Sequence, residues 1–142
     1  GYPNEADYRE FVLPYSQEIL AGVEGIIPRI HFGVGTGELL PAMAEAGPEV
    51  VGVDYRVSMD AAAARVHAAH GAHSLQGNLD PALLFAGDDA VRAAVRRIRD
   101  EVKNAQAAGH ATGHIWNLGH GVLPTTEADA ITRAVAIIHE EG

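Results

Sequence analysis

Residues 27–54 read IPRIHFGVGTGELLPAMAEAGPEVVGVD, a stretch in which two apolar runs flank a glycine-rich loop and a helical segment. The first run, at 27–32, has the length of a buried strand, and the glycine-rich loop at 33–37 follows it directly. Apolar side chains then recur at helical spacing over 36–46, and the valine-rich run at 50–54 predicts a second buried strand. A strand, a helix and a second strand in this order predict a parallel pair joined by a right-handed crossover.

The alternation of strands and helices continues to the end of the chain. The apolar pattern predicts, in order, a helix from Met59 to about Ala69 capped by Ser58, a strand at 74–78, a long helix capped by Asp88 and ended by Gly109, a strand at 114–118, and a last helix capped by Thr125 or Thr126. Upstream, helical spacing over 6–24 predicts a helical segment that Pro14 interrupts.

The predicted fold class is therefore α/β with a parallel sheet, made of one helical segment followed by four strand–helix units. Two architectures fit this order, a small doubly wound domain and a part of a (β/α)₈ barrel, and the alternation alone does not decide between them. No linker or low-complexity segment divides residues 1–142. In both architectures, ligands bind at the carboxyl ends of the strands.

The composition restricts the class of protein. The 142 residues are 47% hydrophobic, which is enough for a buried core and excludes global disorder. Lys plus Arg number 10 against 19 Asp plus Glu, so the net charge of −9 argues against binding to nucleic acid or to an anionic membrane. There is no cysteine for a disulfide or a zinc thiolate, and no apolar run approaches the roughly 20 residues of a membrane span. We expect a cytoplasmic protein.

The glycine-rich loop at 33–37 allows two interpretations. Its glycines would let a ligand approach the backbone, and Asp54 at the end of the next strand could accept hydrogen bonds from a ribose. This pattern resembles Rossmann-like S-adenosylmethionine-dependent methyltransferases, although those enzymes usually carry an acidic residue just before the loop, where this chain has His31 or Phe32. The alternative is a tight turn in which the glycines serve only packing.

The segment NLGHG at 117–121 places a histidine between two glycines just after the last predicted strand. In this position His120 could donate a hydrogen bond to a ligand carboxylate, and histidine is the side chain whose charge small changes in its surroundings can alter. The alternative is a histidine that only caps the loop or binds water; we favour ligand binding. The residues expected to shape the floor of the same pocket are Asn78, Asn117, Gly119 and Gly121.

Two longer motifs are more specific than any glycine pattern. LQGNLDP at 75–81 and NLGHGVLP at 117–124, with FVLPY at 11–15 and AGPEVVGVD at 46–54, resemble the C-terminal part of uroporphyrinogen decarboxylases in order and separation, particularly those of high-GC Gram-positive bacteria. The resemblance covers nearly all of the chain. Because a whole (β/α)₈ barrel takes about 250 residues, it implies the C-terminal half of such a barrel, with four βα units behind a helical segment.

The resemblance also implies a function. Members of this family convert uroporphyrinogen to coproporphyrinogen in haem biosynthesis by removing the carboxyl groups of four acetate side chains, act as homodimers and use no metal or organic cofactor. His120 matches the family's substrate-contacting histidine, which implies donation to a propionate or acetate carboxylate. The family's N-terminal arginine motif, essential aspartate and substrate-contacting tyrosine and serine have no counterpart here. We therefore assign no catalytic residue, and we expect the isolated chain to be inactive.

Zinc-dependent methyltransferases of the same superfamily carry a His-x-Cys motif at about the place of residues 31–33, where this chain has glycine in place of the cysteine. Three histidines, at 67, 70 and 73, are more typical of a solvated helix end than of a metal site. No metal site is therefore expected. Two alternatives to the decarboxylase hypothesis stay open: a methyltransferase-like small domain that binds S-adenosylmethionine, and a non-catalytic fragment that only assembles with itself.

Overall fold

A computed structural model describes residues 3–141 of the chain. Within that range, helices and strands follow one another as α1 (Glu5–Phe11), α2 (Leu13–Gly22), β1 (Ile30–His31), α3 (Leu40–Glu45), β2 (Val50–Gly52), α4 (Met59–His70), β3 (His73–Gln76), a 3-10 helix (Pro81–Phe85), α5 (Asp88–Ala107), β4 (Ala111–Ile115) and α6 (Ala128–Glu141). The predicted order, a helical segment followed by four strand–helix units, is confirmed.

Two prolines set the starts of early helices. Pro14 lies in the first turn of α2, where its missing N–H removes no helical hydrogen bond, so the predicted interruption becomes a boundary between α1 and α2. The predicted start of α3 at residue 36 is wrong by about one turn. Pro41 lies in the first turn of α3, and a helix beginning earlier would place that ring in its interior, where it breaks the hydrogen-bond pattern.

The predicted N-cap of α5 is wrong, whereas the predicted N-cap of α4 is correct in position. Gly87, in a left-handed conformation (φ 87°), occupies the N-cap position of α5, and Asp88 is the first residue of that helix. Ser58 occupies the predicted N-cap position of α4, but its hydroxyl donates to the Asp60 carboxylate and makes no capping bond. Thr126 makes no side-chain cap either, because its buried hydroxyl has no hydrogen-bond partner within residues 3–141.

The four strands are parallel and pair in the sequential order β1-β2-β3-β4. A doubly wound sheet reverses its strand order at a switch point, and the four described strands show no reversal. The predicted limits of the last two strands are displaced by one to three residues. Past Ile115 the ladder gives way to a single bridge between Leu79 and Leu118, so the apolar run at 114–118 belongs mostly to the loop beyond β4.

The core lies on one face of this sheet. Val51 and Leu75 are adjacent in register and fully buried against the helices, where Val66 of α4 and Ile98 of α5 belong to the same cluster. Side chains of alternate parity point to the opposite face, and there Ile30 and Ile115 are each 43% exposed. Right-handed crossovers in sequential order place every helix on the same side. One face of the sheet is therefore covered and the other is open within the described chain.

The helical segment before β1 packs on α3 around Tyr8, Leu13 and Met43. Its outer surface carries an exposed apolar stripe, defined by Phe11, Tyr15 and Ile19 at intervals of four residues, with exposed fractions of 63%, 64% and 70%. Across residues 3–141, none of the helices has the length and apolar character needed to cross a membrane.

Candidate functional site at the carboxyl ends of the strands

Backbone hydrogen bonds join the loops that follow β2, β3 and β4 into one rim. Gly77 N donates to Ile115 O at 3.0 Å, and Gly119 N donates to Leu79 O at 2.8 Å. Tyr55 N, from the loop after β2, donates to Gly119 O at 3.3 Å, which closes the row. These bonds bring together residues up to 64 positions apart in the sequence. The loops at the carboxyl ends of β2, β3 and β4 therefore lie together.

Asp54 links this rim to the glycine-rich loop. Its side chain is buried, and its Oδ2 accepts from Gly35 N at 2.8 Å while its Oδ1 accepts from Arg56 N at 2.9 Å. The Arg56 guanidinium also donates to Oδ2 at 2.6 Å. Burial alone would raise the pKa of Asp54, but these donors and the cation outweigh burial and lower it. Asp54 is therefore an ionised residue that holds the loop at 33–37, and the predicted ribose contact is not supported.

Asn78 is buried just after the end of β3, and its side-chain amide contacts main-chain carbonyl groups. Its Nδ2 donates to Asp54 O at 3.1 Å and to Val57 O at 2.5 Å, which fixes the loop after β2 against the loop after β3. Its Oδ1 is buried without a hydrogen-bond partner in the described part of the chain. The contribution of Asn78 to the pocket floor stays a prediction. In the structure, the Asn78 side chain joins two loops of the rim by hydrogen bonds.

Gly77 is a rim residue whose backbone conformation requires glycine, which the sequence analysis did not predict. It has φ 138°, and a Cβ there would lie 2.7 Å from Val53 O, so both conformation and space demand glycine. Gly77 O accepts a hydrogen bond from His114 Nε2 at 2.6 Å. Burial lowers the pKa of His114, with the Gly77 contact opposing that shift. His114 was expected to begin the last strand, but it is the fourth residue of β4 and lies near the rim.

His120 lies exposed on the rim in a row with two residues of the loop after β2. Its ring makes an edge contact with the Tyr55 ring, with centroids 6.5 Å apart. Arg56 Cζ lies 4.3 Å from the centroid of the same Tyr55 ring, in a cation–π contact. We call this arrangement the Arg56–Tyr55–His120 row. The strand-end rule also points to the stretch 54–56, but sequence reasoning gave a binding role to His120 and none to Tyr55 or Arg56.

The other predicted floor residues lie around His120 in different surroundings. Gly119 packs against the Tyr55 backbone, and a Cβ at this position would collide with Tyr55 N and Cα. Gly121 is exposed, and a Cβ there would meet no atom within 4 Å. Asn117 is exposed, and its Oδ1 accepts from Leu118 N at 2.8 Å. Only Gly119 of these three is fixed by close packing.

A separate apolar cavity of about 390 Å³ lies between the end of β4 and α6. Trp116, Ile131 and Val135 are among its lining residues, and so is Asn117, which was predicted to shape the pocket around His120, whereas His120 does not line it. The mostly apolar lining of this cavity suits an apolar neighbour rather than an anion. No cluster of three or more metal-ligating side chains occurs among residues 3–141. Of the three histidines at 67, 70 and 73, His67 stacks on the ring of His110, with centroids 4.5 Å apart.

Together, the parallel sheet and the loops joined at its rim define an α/β protein with a polar edge at the carboxyl ends of its strands. The family model for uroporphyrinogen decarboxylase matches residues 3–141, and the chain belongs to that family. The predicted resemblance is thereby confirmed.

The curated relatives have the same description. Uroporphyrinogen decarboxylases of Corynebacterium diphtheriae, Corynebacterium glutamicum and Rhodococcus opacus are 68%, 62% and 61% identical to this chain, over 98%, 98% and 94% of its length. The matched region is only 39%, 39% and 37% of those proteins, so the chain spans well under half the length of the relatives it matches. Neither the methyltransferase hypothesis nor that of a non-catalytic fragment is supported.

Proposed function

We propose that this chain forms the C-terminal half of a uroporphyrinogen decarboxylase barrel. In the whole protein it would supply part of the edge that binds the porphyrinogen, and four acetate side chains would lose their carboxyl groups without a cofactor. The observation that carries this proposal is 68% identity over nearly the whole chain to a relative of which it covers only 39%.

The open surfaces of the chain support the half-barrel. Among the described strands, β1 and β4 each have one unpaired edge, and open edges of parallel strands are normally closed in a barrel. The open sheet face exposes Ile30 and Ile115. Two further apolar surfaces flank this face: the exposed stripe on α1 and α2, before β1, and the cavity beside α6, after β4. One complementary half would cover both edges and the face between them.

Within this proposal the chain binds substrate rather than performing the chemistry. His120 would donate a hydrogen bond to an acetate or propionate carboxylate, with Asn78, Asn117, Gly119 and Gly121 shaping the pocket around it. The family's arginine motif, aspartate, tyrosine and serine would come from the remainder of the protein. The whole protein would be a cytoplasmic homodimer, with no nucleic acid or membrane as partner.

A chimera tests the proposal directly. In the Corynebacterium diphtheriae enzyme, the 139 matched residues would be replaced by those of this chain. The chimera is expected to convert uroporphyrinogen to coproporphyrinogen, and the isolated chain is expected to convert none. A chimera that is folded by circular dichroism but inactive would refute the proposal, and so would turnover by the chain alone.

Histidine variants of the chimera test the role of His120. His120→Ala is expected to raise the KM for uroporphyrinogen about tenfold, the effect of losing one hydrogen bond to a charged group. His67→Ala is a matched control, because His67 is also exposed and makes one ring contact. It lies near the C-terminal end of α4, away from the rim at the carboxyl ends of the strands. Equal KM values for the two variants would contradict the role given to His120.

A further inference from the structure

We propose that His114 is a positioning residue for substrate binding: its ring holds residues 77–79 in place, and these residues in turn hold the loop that carries His120. This inference rests on the proposed function, since it takes His120 as a substrate-binding residue. It gives a functional role to a histidine that was expected only to begin the last strand.

Residues 77–79 and the segment after β4 are joined by hydrogen bonds between backbone groups. Leu79 N donates to Asn117 O at 3.1 Å, and Leu79 O accepts from Gly119 N at 2.8 Å. Gly119 directly precedes His120 in the chain. The position of the loop that carries His120 therefore depends on where residues 77–79 lie.

His114 adds a side-chain hydrogen bond to these backbone contacts. Its Nε2 lies 2.6 Å from Gly77 O, and because a carbonyl oxygen can only accept, the ring nitrogen is the donor. This bond ties β4 to the first residue after β3. Gly77 is buried, so loss of the ring would leave its carbonyl oxygen without this donor in a place that water reaches poorly.

The His114 ring is itself held in one orientation. It makes an edge contact with the Trp116 ring, with centroids 4.8 Å apart. Burial lowers the pKa of His114 although the Gly77 contact opposes that shift, so the ring is neutral at pH 7 and its one N–H is the Nε2–H that Gly77 O accepts. Gly77 also packs closely against Val53 O. Residues 77–79 are therefore held between the ends of β2 and β4.

Two amide variants of the chimera separate this hydrogen bond from the rest of the ring. In His114→Gln the side-chain NH₂ reaches about as far as the histidine Nε2, so the bond to Gly77 O is kept. In His114→Asn the amide ends near the position of Nδ1, and the bond is lost. Because His114 acts through His120, its effect cannot exceed that of His120→Ala. His114→Asn is therefore expected to raise the KM for uroporphyrinogen about threefold to tenfold with kcat unchanged, and His114→Gln less than about twofold.

The separation of KM from kcat excludes a merely structural effect. A substitution that unfolds part of the protein lowers kcat and leaves KM unchanged, whereas a misplaced binding group raises KM. His73→Ala is the control, because His73 Nδ1 lies 3.1 Å from Gly71 O, but at the first residue of β3 and away from the rim. This variant also removes a histidine that contacts a glycine carbonyl group, and KM should not change.

A double-mutant cycle tests whether His114 acts through His120. In the His120→Ala chimera, His114→Asn should raise KM no further, because the group that it positions is already absent. Effects that multiply in the double variant would overturn the inference. Equal KM values for His114→Asn and His114→Gln would overturn it as well.

Hydrogen exchange in the full 142-residue chain tests the contact without turnover. The amides of Leu79 and Gly119 should exchange faster in His114→Asn than in His114→Gln, because their hydrogen bonds depend on the position of residues 77–79. Equal exchange rates at both amides would overturn the inference.

The dissociation constant of uroporphyrin, the oxidised and unreactive form of the substrate, separates this inference from the proposed function. In an active chimera, failure of the expected KM differences overturns the inference and leaves the function intact. An inactive chimera whose dissociation constants differ among the variants as expected for KM would refute the function and support the role of His114. A chimera with neither binding nor turnover would overturn both.

Discussion

Replacing Gly119 by alanine tests how tightly the rim is packed. A Cβ at Gly119 would collide with the backbone N and Cα of Tyr55, which cannot move as a flexible side-chain end could. Gly119 also makes two backbone hydrogen bonds, one from its N–H to Leu79 O at 2.8 Å and one from Tyr55 N to its own carbonyl at 3.3 Å. The added methyl group must therefore either be accommodated by strain or push the loop after β4 away from the loop after β2.

The magnitude follows from these contacts. Overpacking by one methyl group costs about 1–3 kcal/mol, and each backbone hydrogen bond lost when the loop moves costs about 1 kcal/mol. A glycine-to-alanine change also lowers the entropy of the unfolded chain, which stabilises the folded state by about 0.4–1 kcal/mol and offsets part of this loss. Gly119→Ala is therefore expected to lower the free energy of unfolding by about 2–3 kcal/mol.

Gly121→Ala is the matched control, since it adds the same methyl group on the other side of His120. A Cβ at Gly121 meets no atom within 4 Å, so its effect should stay within about 0.5 kcal/mol. Urea unfolding of the full 142-residue chain, followed by circular dichroism, measures both. With a slope of about 2 kcal/mol per molar urea, the midpoints of the two variants should differ by about 1 M. Coincident midpoints would refute the packing argument.

Three further variants test single contacts. Asp54→Asn removes a buried charge that several donors share and should lower the free energy of unfolding by about 2–3 kcal/mol in urea titrations; an unchanged midpoint would contradict its anchoring role. Hydrogen bonds from Arg29 lower the pKa of Glu49 from 4.5 to about 2, so the stability from this pair is complete above about pH 5 and is lost as the pH falls toward 2. Unfolding midpoints should fall over that range, and Glu49→Gln should flatten the fall. Burial lowers the pKa of His31 below 6.5, so its protonation opposes folding and stability declines as the pH falls below about 6.5. An NMR titration of the ring should give a midpoint under 6.5. Tyr8→Phe removes the hydroxyl 2.9 Å from His31 Nε2 and should lower the free energy of unfolding by about 1 kcal/mol. An unchanged free energy of unfolding would show that this contact does not stabilise the fold.

The order of helices and strands was predictable because it is encoded locally. Helical and strand periodicities differ, and prolines and glycines mark where one gives way to the other. The ends of elements were less predictable, because they depend on contacts across the sheet. Residues 111–113 look too small and polar for a strand, yet Ala111 and Gly113 pair with His73 and Ser74 of β3.

The contacts of the rim could not be predicted in the same way. Tyr55 and His120 are 65 positions apart, and nothing in the local pattern indicates that their rings meet. Asp54 shows the opposite error. Its position after a strand suggested a ligand contact, whereas its oxygens accept hydrogen bonds from Gly35 and Arg56. A strand-end carboxylate looks the same in sequence whether its partner is a ligand or the next loop.

The two long motifs that identified the family correspond to the most constrained backbone of the rim. In LQGNLDP, Gly77 leaves no space for a Cβ beside Val53 O, and Asn78 donates to two carbonyl groups of another loop. In NLGHG, Gly119 lies directly against Tyr55. Gly77, Asn78 and Gly119 therefore each have a physical reason for their residue type.

Binding and assembly of the proposed half-barrel should be thermodynamically linked. His120 lies at the rim of a sheet whose open face exposes Ile30 and Ile115, and in the proposed whole protein a complementary half would cover this face. A ligand that contacts both halves binds only the assembled state, and it stabilises that state by RT ln(1 + [L]/Kd). At a concentration one hundred times the dissociation constant, this contribution is about 2.7 kcal/mol. His120→Ala, which is expected to weaken ligand binding, should therefore reduce the stabilisation of the assembly by ligand and leave its stability without ligand nearly unchanged.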